Sequence, residues 1–246
     1  MYDLCRLRLA DMTSASSRLR KLGAGAGSME EASQRVAQWI FESFGDAATG
    51  ASGCALVRVY KTHLLGSLPT DLQAFARHAA KDESLAATVR CLVLLGTAGV
   101  EPAWCARSAS RGHKAIPLPS ADAVSHLPMV AQLVSQLGID VAHLLTPGPP
   151  LLVDPDERRY NVFHVEAAQG SPHIPAQDFV ERYGVRSVLG CGGQLPDGEL
   201  FAAILFSRDV ISRETADAFK PLTLALKLTL LPFKGDRIFQ EGAMGA

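Results

Sequence analysis

The stretch SVLGCGGQLPDGELFAAILFS, residues 187–207, carries the strongest structural signal in the chain. Two apolar runs, residues 185–191 and 200–206, flank the segment GGQLPDGE. Pro196, Asp197 and Gly198 are the residue types that a tight turn requires, so this pattern predicts a β-hairpin with a positive φ at Gly198. The glycines before the turn could suggest a phosphate-binding loop, but such a loop leads into a helix. Here a second strand follows, so the glycines belong to the hairpin.

The segment after the hairpin predicts a closing helix. Ser212 is a suitable N-cap, and Glu214 follows in the first turn, where the helix dipole favours an acidic side chain. Pro221 should kink this helix or move its start. Its apolar face comprises Phe219, Leu222, Leu226 and Leu230.

The rest of the chain alternates between helical and extended patterns. Ser28 begins a helix with an apolar face, and residues 54–62 read as a strand. In that strand we expect one face to carry Ala55, Val57 and Val59, and the other to carry Leu56, Arg58 and Tyr60. Further predicted helices are 68–80, a segment from Ser120 that restarts at Pro128, and 176–183. Further predicted strands are 90–96, 140–145 and 160–165, and residues 97–119 are read as a looser region.

The N-terminal residues 2–22 show the spacing of a two-helix contact. Apolar or small residues recur at intervals of three and four, which is the rhythm of a short heptad seam. The seam predicts pairing with a second copy of the chain, and the alternative is that the helix packs on its own subunit. A glycine-rich hinge at residues 23–27 follows it. The seam consists of Tyr2, Cys5, Leu9, Met12, Ser16 and Leu19.

This order of elements predicts an α+β architecture. Helices at the two ends of the chain can pack together on one face of a single antiparallel sheet. We therefore divide the chain into an N-terminal helix and hinge at 1–27, one domain at 28–233, and a flexible tail at 234–246.

Composition excludes several classes of function. The 246 residues have a net charge of -1 and 7% aromatic residues, which argues against a nucleic-acid-binding surface. No run of 18 apolar residues occurs, so we expect no membrane span. The charged N-terminus is unlike a signal peptide, and the five cysteines are odd in number and widely spaced. These features predict a cytoplasmic protein with reduced thiols.

Motifs with a known chemistry are absent from the sequence. There is no nucleophile elbow, zinc-protease motif, P-loop or dinucleotide-binding motif. Asp154, Asp156 and Glu157 could suggest a calcium-binding loop, but Pro155 lies between the two aspartates and rules it out. His164 lies in a predicted strand and has three alternative roles: a core histidine bonded to the backbone, a pocket-lining contact, or an iron ligand. Cys91 and Cys191 lie in apolar strands, and Cys105 lies in a loop where its thiol should be exposed.

The final third of the chain resembles the end of a GAF domain. The matching parts are Gly190, Gly198, the strand 200–206, Arg208 and the helix from Ser212 onward. The helix 29–44 followed by the strand 55–60 is similar to the opening of that family. The likeness covers roughly residues 28–232. It implies a GAF/PAS-like central antiparallel β-sheet of about six strands with helices on both faces, a dimer-forming side and a small-molecule pocket on the other side.

The chain also departs from that family. It has extra residues between Pro69 and Pro119, and it lacks the N-K-F-D-E signature of the GAF domains that bind cyclic nucleotides. Haem and bilin are ligands of the family, but no motif here supports either one, and no metal site is expected.

The resemblance implies a small-molecule sensor or regulatory domain in bacterial signal transduction, acting through a homodimer or a separate output protein. The alternatives are a thiol-dependent redox enzyme of the free methionine sulfoxide reductase type and a ligand-free interaction module. We expect no catalytic residue. The candidate pocket comprises Tyr160, His164, His173, His126 and Cys191, and the candidate dimer helix presents Cys5, Leu9, Met12 and Leu19.

Overall fold

A six-stranded antiparallel sheet organises the chain. The computed structural model describes residues 1–45, 50–146, 161–233, 235 and 237–240. The strands are β1 (Cys54–Leu64), β2 (Arg90–Gly99), β3 (Ala115–Leu118), β4 (Val162–Val165), β5 (Ser187–Gln194) and β6 (Leu200–Ser207). They lie in the order β3-β2-β1-β6-β5-β4, and every neighbouring pair is antiparallel. The predicted α+β class is confirmed at this level.

The β5–β6 hairpin forms where the sequence predicts it. Gly198 has a φ of 80°, which confirms the positive value expected of a glycine in this turn. The Asp197 carboxylate accepts a hydrogen bond of 3.1 Å from the backbone N–H of Glu199. The Leu195 N–H donates to the Glu199 carbonyl at 2.8 Å and closes the turn.

Nine α-helices accompany the sheet in the described part of the chain. Three serines cap helices as their sequence positions predict, each accepting a hydrogen bond from a backbone N–H in the first turn: Ser28, Ser120 and Ser212. The helices are α1 (Leu9–Lys21), α2 (Met29–Ser43), α3 (Thr70–Ala80), α4 (Ala121–Ser125), α5 (Pro128–Gln136), α6 (Val141–Leu145), α7 (Gln177–Tyr183), α8 (Arg213–Asp217) and α9 (Lys220–Leu230).

Two predictions about elements are wrong, and the predicted effect of Pro221 on the closing helix is confirmed. Residues 141–145, predicted as a strand, form α6, because the Asp140 carboxylate caps a helical turn by accepting from the Ala142 N–H at 2.9 Å. The short strand β3 lies in the region read as loop, and its Pro117 is tolerated because β3 is an edge strand. The closing helix is two helices, with Pro221 in the first turn of α9.

The N-terminal helix is shorter than predicted and packs on its own chain. It begins at Leu9 instead of Tyr2, so a heptad seam cannot run through the residues before it. Met12 and Leu19 are buried, whereas Leu9 is 81% exposed and Cys5 is also exposed. The Thr229 hydroxyl of α9 donates to the Leu19 carbonyl at 2.9 Å and ties the two terminal helices together. Pairing with a second copy stays a prediction.

The buried apolar side chains form two separate clusters. Alternate residues of β6 enter each cluster, because successive side chains of a strand point in opposite directions. The first cluster contains residues of α1, α2 and α9, and the second contains residues of α5 and α7. Val57 and Val59 join the first cluster as predicted, but Ala55 joins the second, because the pairing of β1 shifts between Cys54 and Leu56.

Candidate functional site

Of the candidate pocket residues, the structure places His164 and Cys191 on one face of the sheet. Tyr160 lies outside the described residues. Val162 pairs with Cys191, and alternation places His164 on the same sheet face as that pair. His126 ends α4 with a side chain that is 75% exposed, and His173 lies in the loop before α7.

His164 has a defined structural partner. Its ring is buried, and its Nε2 atom lies 2.8 Å from the backbone carbonyl oxygen of Ile211. The side-chain amide of Gln136 binds the backbone of the same residue, accepting from its N–H at 2.6 Å and donating to its carbonyl at 3.1 Å. This is the geometry of the first of its three alternative roles, a core histidine bonded to the backbone.

The thiols are poorly placed for nucleophilic chemistry. All five cysteines are free. Burial raises the pKa of Cys91 and of Cys191 to about 12, and it also raises the pKa of Cys54 to about 12. The thiolate is the reactive form of cysteine, so these three side chains stay protonated and inert at neutral pH. The Cys105 thiol is exposed and lies 3.5 Å from the Glu101 carbonyl oxygen.

A polar centre that the sequence analysis did not single out lies on β1. Arg58 is 8% exposed and its guanidinium donates to the hydroxyl of Tyr60 at 3.1 Å and to the hydroxyl of Ser110 at 3.4 Å. Both partners are buried as well. Among the described residues, no carboxylate forms an ion pair with Arg58. A charged residue inside the apolar pattern of residues 55–60 is the signal that could have revealed this centre.

Apolar groups of the second cluster surround this centre. Arg58 pairs across the sheet with Ile204, a member of that cluster, so its side chain leaves the sheet on the same face. A set of aromatic rings, in contact at 4.7–5.7 Å between centroids, belongs to the same cluster: Trp104, Phe179, Tyr183 and Phe206. The Tyr183 hydroxyl donates to a Glu101 carboxylate oxygen at 3.0 Å, which joins α7 to the segment that carries Ser110.

A second set of buried charges contains two cations and one carboxylate. Glu199 pairs with Arg90 and accepts a hydrogen bond from the Thr62 hydroxyl, and the Lys61 Nζ atom lies 4.0 Å from its carboxylate. The Thr62 hydroxyl oxygen in turn accepts from the Leu200 N–H at 2.9 Å. These contacts connect the hairpin turn to β1 and β2, which is a structural role.

His63 lies beside that network and stays neutral. Its ring is 7% exposed and stands 5.5 Å from the Phe239 ring between centroids. Burial holds the pKa of His63 well below its ordinary value, and the charges of Lys61 and Arg90 act in the same direction. The ring is therefore unsuited to gain a proton near neutral pH.

Two surface grooves lie near the short helices. One, of about 480 Å³, runs beside Arg90 between the ends of β2, β3 and α6. The other, of about 390 Å³, lies between α4, α5 and α6. Both are open and partly apolar, which suits a contact surface.

Metal binding and membrane insertion find no support in the described ranges. No group of three or more histidine, cysteine, aspartate or glutamate side chains there could hold a metal ion. No helix of those ranges has both the length and the apolar character needed to cross a bilayer.

Comparison with known proteins identifies no family for this chain. No family model matches the chain, and no curated protein is significantly similar to it.

Proposed function

We propose that the chain is a GAF-like regulatory domain that binds a small molecule and passes the signal on through a homodimer or a separate output protein. Its compartment under this proposal is the cytoplasm, which suits five unpaired thiols. Ligand binding would act by population shift: a ligand that prefers one packing of the terminal helices changes what a partner contacts.

The architecture supports this proposal in two ways. The single six-stranded antiparallel sheet is the fold that the resemblance implies. The terminal helices α1 and α9 share the first cluster, whereas α4, α5, α6 and α7 contribute to the second. We take the two clusters to be opposite layers, one suited to dimer contacts and the other to a ligand.

The polar centre at Arg58 is the observation that carries the proposal. A ligand site is typically an apolar enclosure with a few convergent polar groups. The second cluster supplies the apolar groups, and Arg58, Tyr60 and Ser110 supply the polar ones. Arg58 has no carboxylate partner among the described residues, and a purely structural core would avoid such an arrangement, because burying a charge without a counter-ion is costly.

Ligand identification tests the proposal directly. Purified protein would be analysed by native mass spectrometry, and small molecules released by denaturation would be identified. An absorbance spectrum of the same sample tests haem and bilin. We expect a small molecule to co-purify with the protein in stoichiometric amount. If none does, we expect at least one compound of a metabolite library to raise the melting temperature of the protein. A protein that carries nothing and responds to no compound would instead be the ligand-free interaction module.

A further inference from the structure

Four polar side chains meet inside the second cluster. Arg58 and Tyr60 come from β1, Thr97 from β2, and Ser110 from the segment that follows β2, and each is at most 8% exposed. Gln34 of α2 fixes the backbone of Thr97 by accepting from its N–H at 3.1 Å and donating to its carbonyl at 2.8 Å. Three of these four side chains are therefore held by strands of the sheet, and only Ser110 lies in a loop.

Two polar atoms in this group are buried without a partner among the described residues. They are the Nε atom of Arg58 and the hydroxyl oxygen of Thr97. Arg58 and Thr97 face each other directly across β1 and β2, so their side chains leave the sheet on the same face with Cβ atoms about 5 Å apart. Buried polar atoms are almost always hydrogen-bonded, and two adjacent exceptions indicate a missing partner.

The donors here outnumber the acceptors. A guanidinium has five N–H donors and no acceptor. The hydroxyl oxygens of Tyr60 and Ser110 each accept one hydrogen bond from Arg58. The Ser110 hydroxyl donates its own proton to the Gly112 carbonyl at 3.3 Å. The Arg58 Nε–H and the hydroxyl protons of Tyr60 and Thr97 are left to donate, next to one positive charge.

We propose that Arg58, Tyr60 and Thr97 form an oxyanion site that holds the carboxylate or phosphate group of a small-molecule ligand, while the Ser110 hydroxyl positions the guanidinium. The inference rests on the proposed function, since it names the chemical class of the ligand. An oxyanion accepts several hydrogen bonds and compensates the guanidinium, and such charge-assisted bonds are strong. Ordered water would satisfy the hydrogen bonds but would leave the charge unpaired.

The test titrates acetate and inorganic phosphate separately into the purified protein, at an ionic strength held constant with sodium chloride. The melting temperature should rise in a saturable manner, by about 3–6 °C at ten times Kd. A response to acetate alone points to a carboxylate ligand, and a stronger response to phosphate points to a phosphorylated one. A melting temperature that neither anion changes beyond the chloride control overturns the inference.

Variants assign the response to these residues. Arg58→Met should abolish it, and Thr97→Val, which keeps the shape but loses the hydroxyl, should weaken binding at least about tenfold. Arg182→Met removes an equal charge from an exposed position and should leave the response unchanged. If Arg58→Met fails to fold, Thr97→Val and Tyr60→Phe carry the test. Unchanged affinity in those two variants contradicts the site.

The same variants separate this inference from the proposed function. If a metabolite binds the wild type and Arg58→Met with equal affinity, the domain binds small molecules but not at this site. If acetate or phosphate binds through Arg58 while no metabolite binds and no dimer forms, the oxyanion site stands and the regulatory function fails.

Discussion

Arg58 and Lys61 are two buried cations on the same strand, and their surroundings differ. Lys61 lies 4.0 Å from the Glu199 carboxylate, while Arg58 has only hydroxyl partners among the described residues. Glu199 also pairs with Arg90 and accepts a hydrogen bond from Thr62, so its single negative charge is shared between two cations. Burial lowers the pKa of Lys61 from 10.5 to about 8, against the opposing charge of Asp197 and with the help of Arg90.

This shift predicts a pH dependence of stability. Between pH 8 and 10.5 the unfolded chain holds the Lys61 proton more tightly than the folded chain does, so stability rises with pH in that window. Below pH 8 both states are protonated, and the cost of burying the cation is complete. In Lys61→Met this dependence disappears. The free energy of unfolding of the wild type minus that of the variant should therefore increase by about 3 kcal/mol from pH 7.5 to pH 10.5.

Urea unfolding of both proteins across that pH range measures the difference. The buried thiols of Cys54, Cys91 and Cys191 act in the opposite direction above pH 9, because the folded state keeps protons that the unfolded thiols lose. Both proteins contain these thiols, so their effect cancels in the difference. A difference that stays constant with pH would show that Lys61 is not desolvated.

At the scale of elements, helices supply side-chain amides to the sheet. Gln34 of α2 binds both backbone groups of Thr97, and Gln136 of α5 binds both backbone groups of His164. β4 is an edge strand, and a glutamine amide can substitute there for the neighbouring strand. Covering an edge in this way keeps it from pairing with another chain.

The contact between α2 and β2 depends on a glycine. A Cβ atom at Gly96 would lie 2.3 Å from the backbone oxygen of Ser33, which is too close for any atom pair of this kind. Gly96→Ala should therefore destabilise the protein by about 1–3 kcal/mol or more, because the helix has to move off the sheet. Chemical denaturation measures this loss.

Gly193→Ala is the matched control. It is also a glycine of the sheet, but the nearest atom to its added Cβ would be 3.8 Å away, in the Phe201 ring. The control should retain nearly full stability. Equal stabilities of the two variants would mean that α2 does not approach β2 as closely as the structure has it.

At the scale of the whole molecule, the terminal helices leave an apolar surface uncovered. α1 covers one side of α9, yet Leu224 and Leu228 of α9 are 41% and 42% exposed. These residues are four apart, so they lie on one face of the helix. This is the surface through which the proposed homodimer would form.

Light scattering tests the dimer. Leu224→Lys combined with Leu228→Lys should convert a dimer into a monomer without loss of folding, because neither side chain is buried in the chain itself. Val210→Lys, at an apolar position that is equally exposed (42%) but lies outside the terminal helices, should leave the mass unchanged. A wild-type protein that is monomeric at tens of micromolar would refute the dimer. Deleting residues 1–22 is a poorer test, since it would also uncover the buried contact between Leu19 and Thr229.

Local patterns were sufficient where a few neighbouring residues decide the outcome. The turn at Asp197 and Gly198, the cap at Ser28 and the helix start at Pro128 each depend on backbone angles and hydrogen bonds within one turn of chain. The same kind of reasoning failed at residues 141–145, because a run of five residues of which four are apolar suits a short strand and a short helix equally well.

The sequence by itself determined the hairpin, the helix caps and the α+β class, since these follow from local conformational preference and from hydrophobic periodicity. Only the tertiary structure decided that Arg58 faces Thr97, that Ser110 comes to meet them, and that His164 turns to the carbonyl of Ile211. Those contacts join residues far apart in the chain. They depend on the register between strands, and no local sequence pattern encodes that register. Irregularities within β1 shift it by single residues.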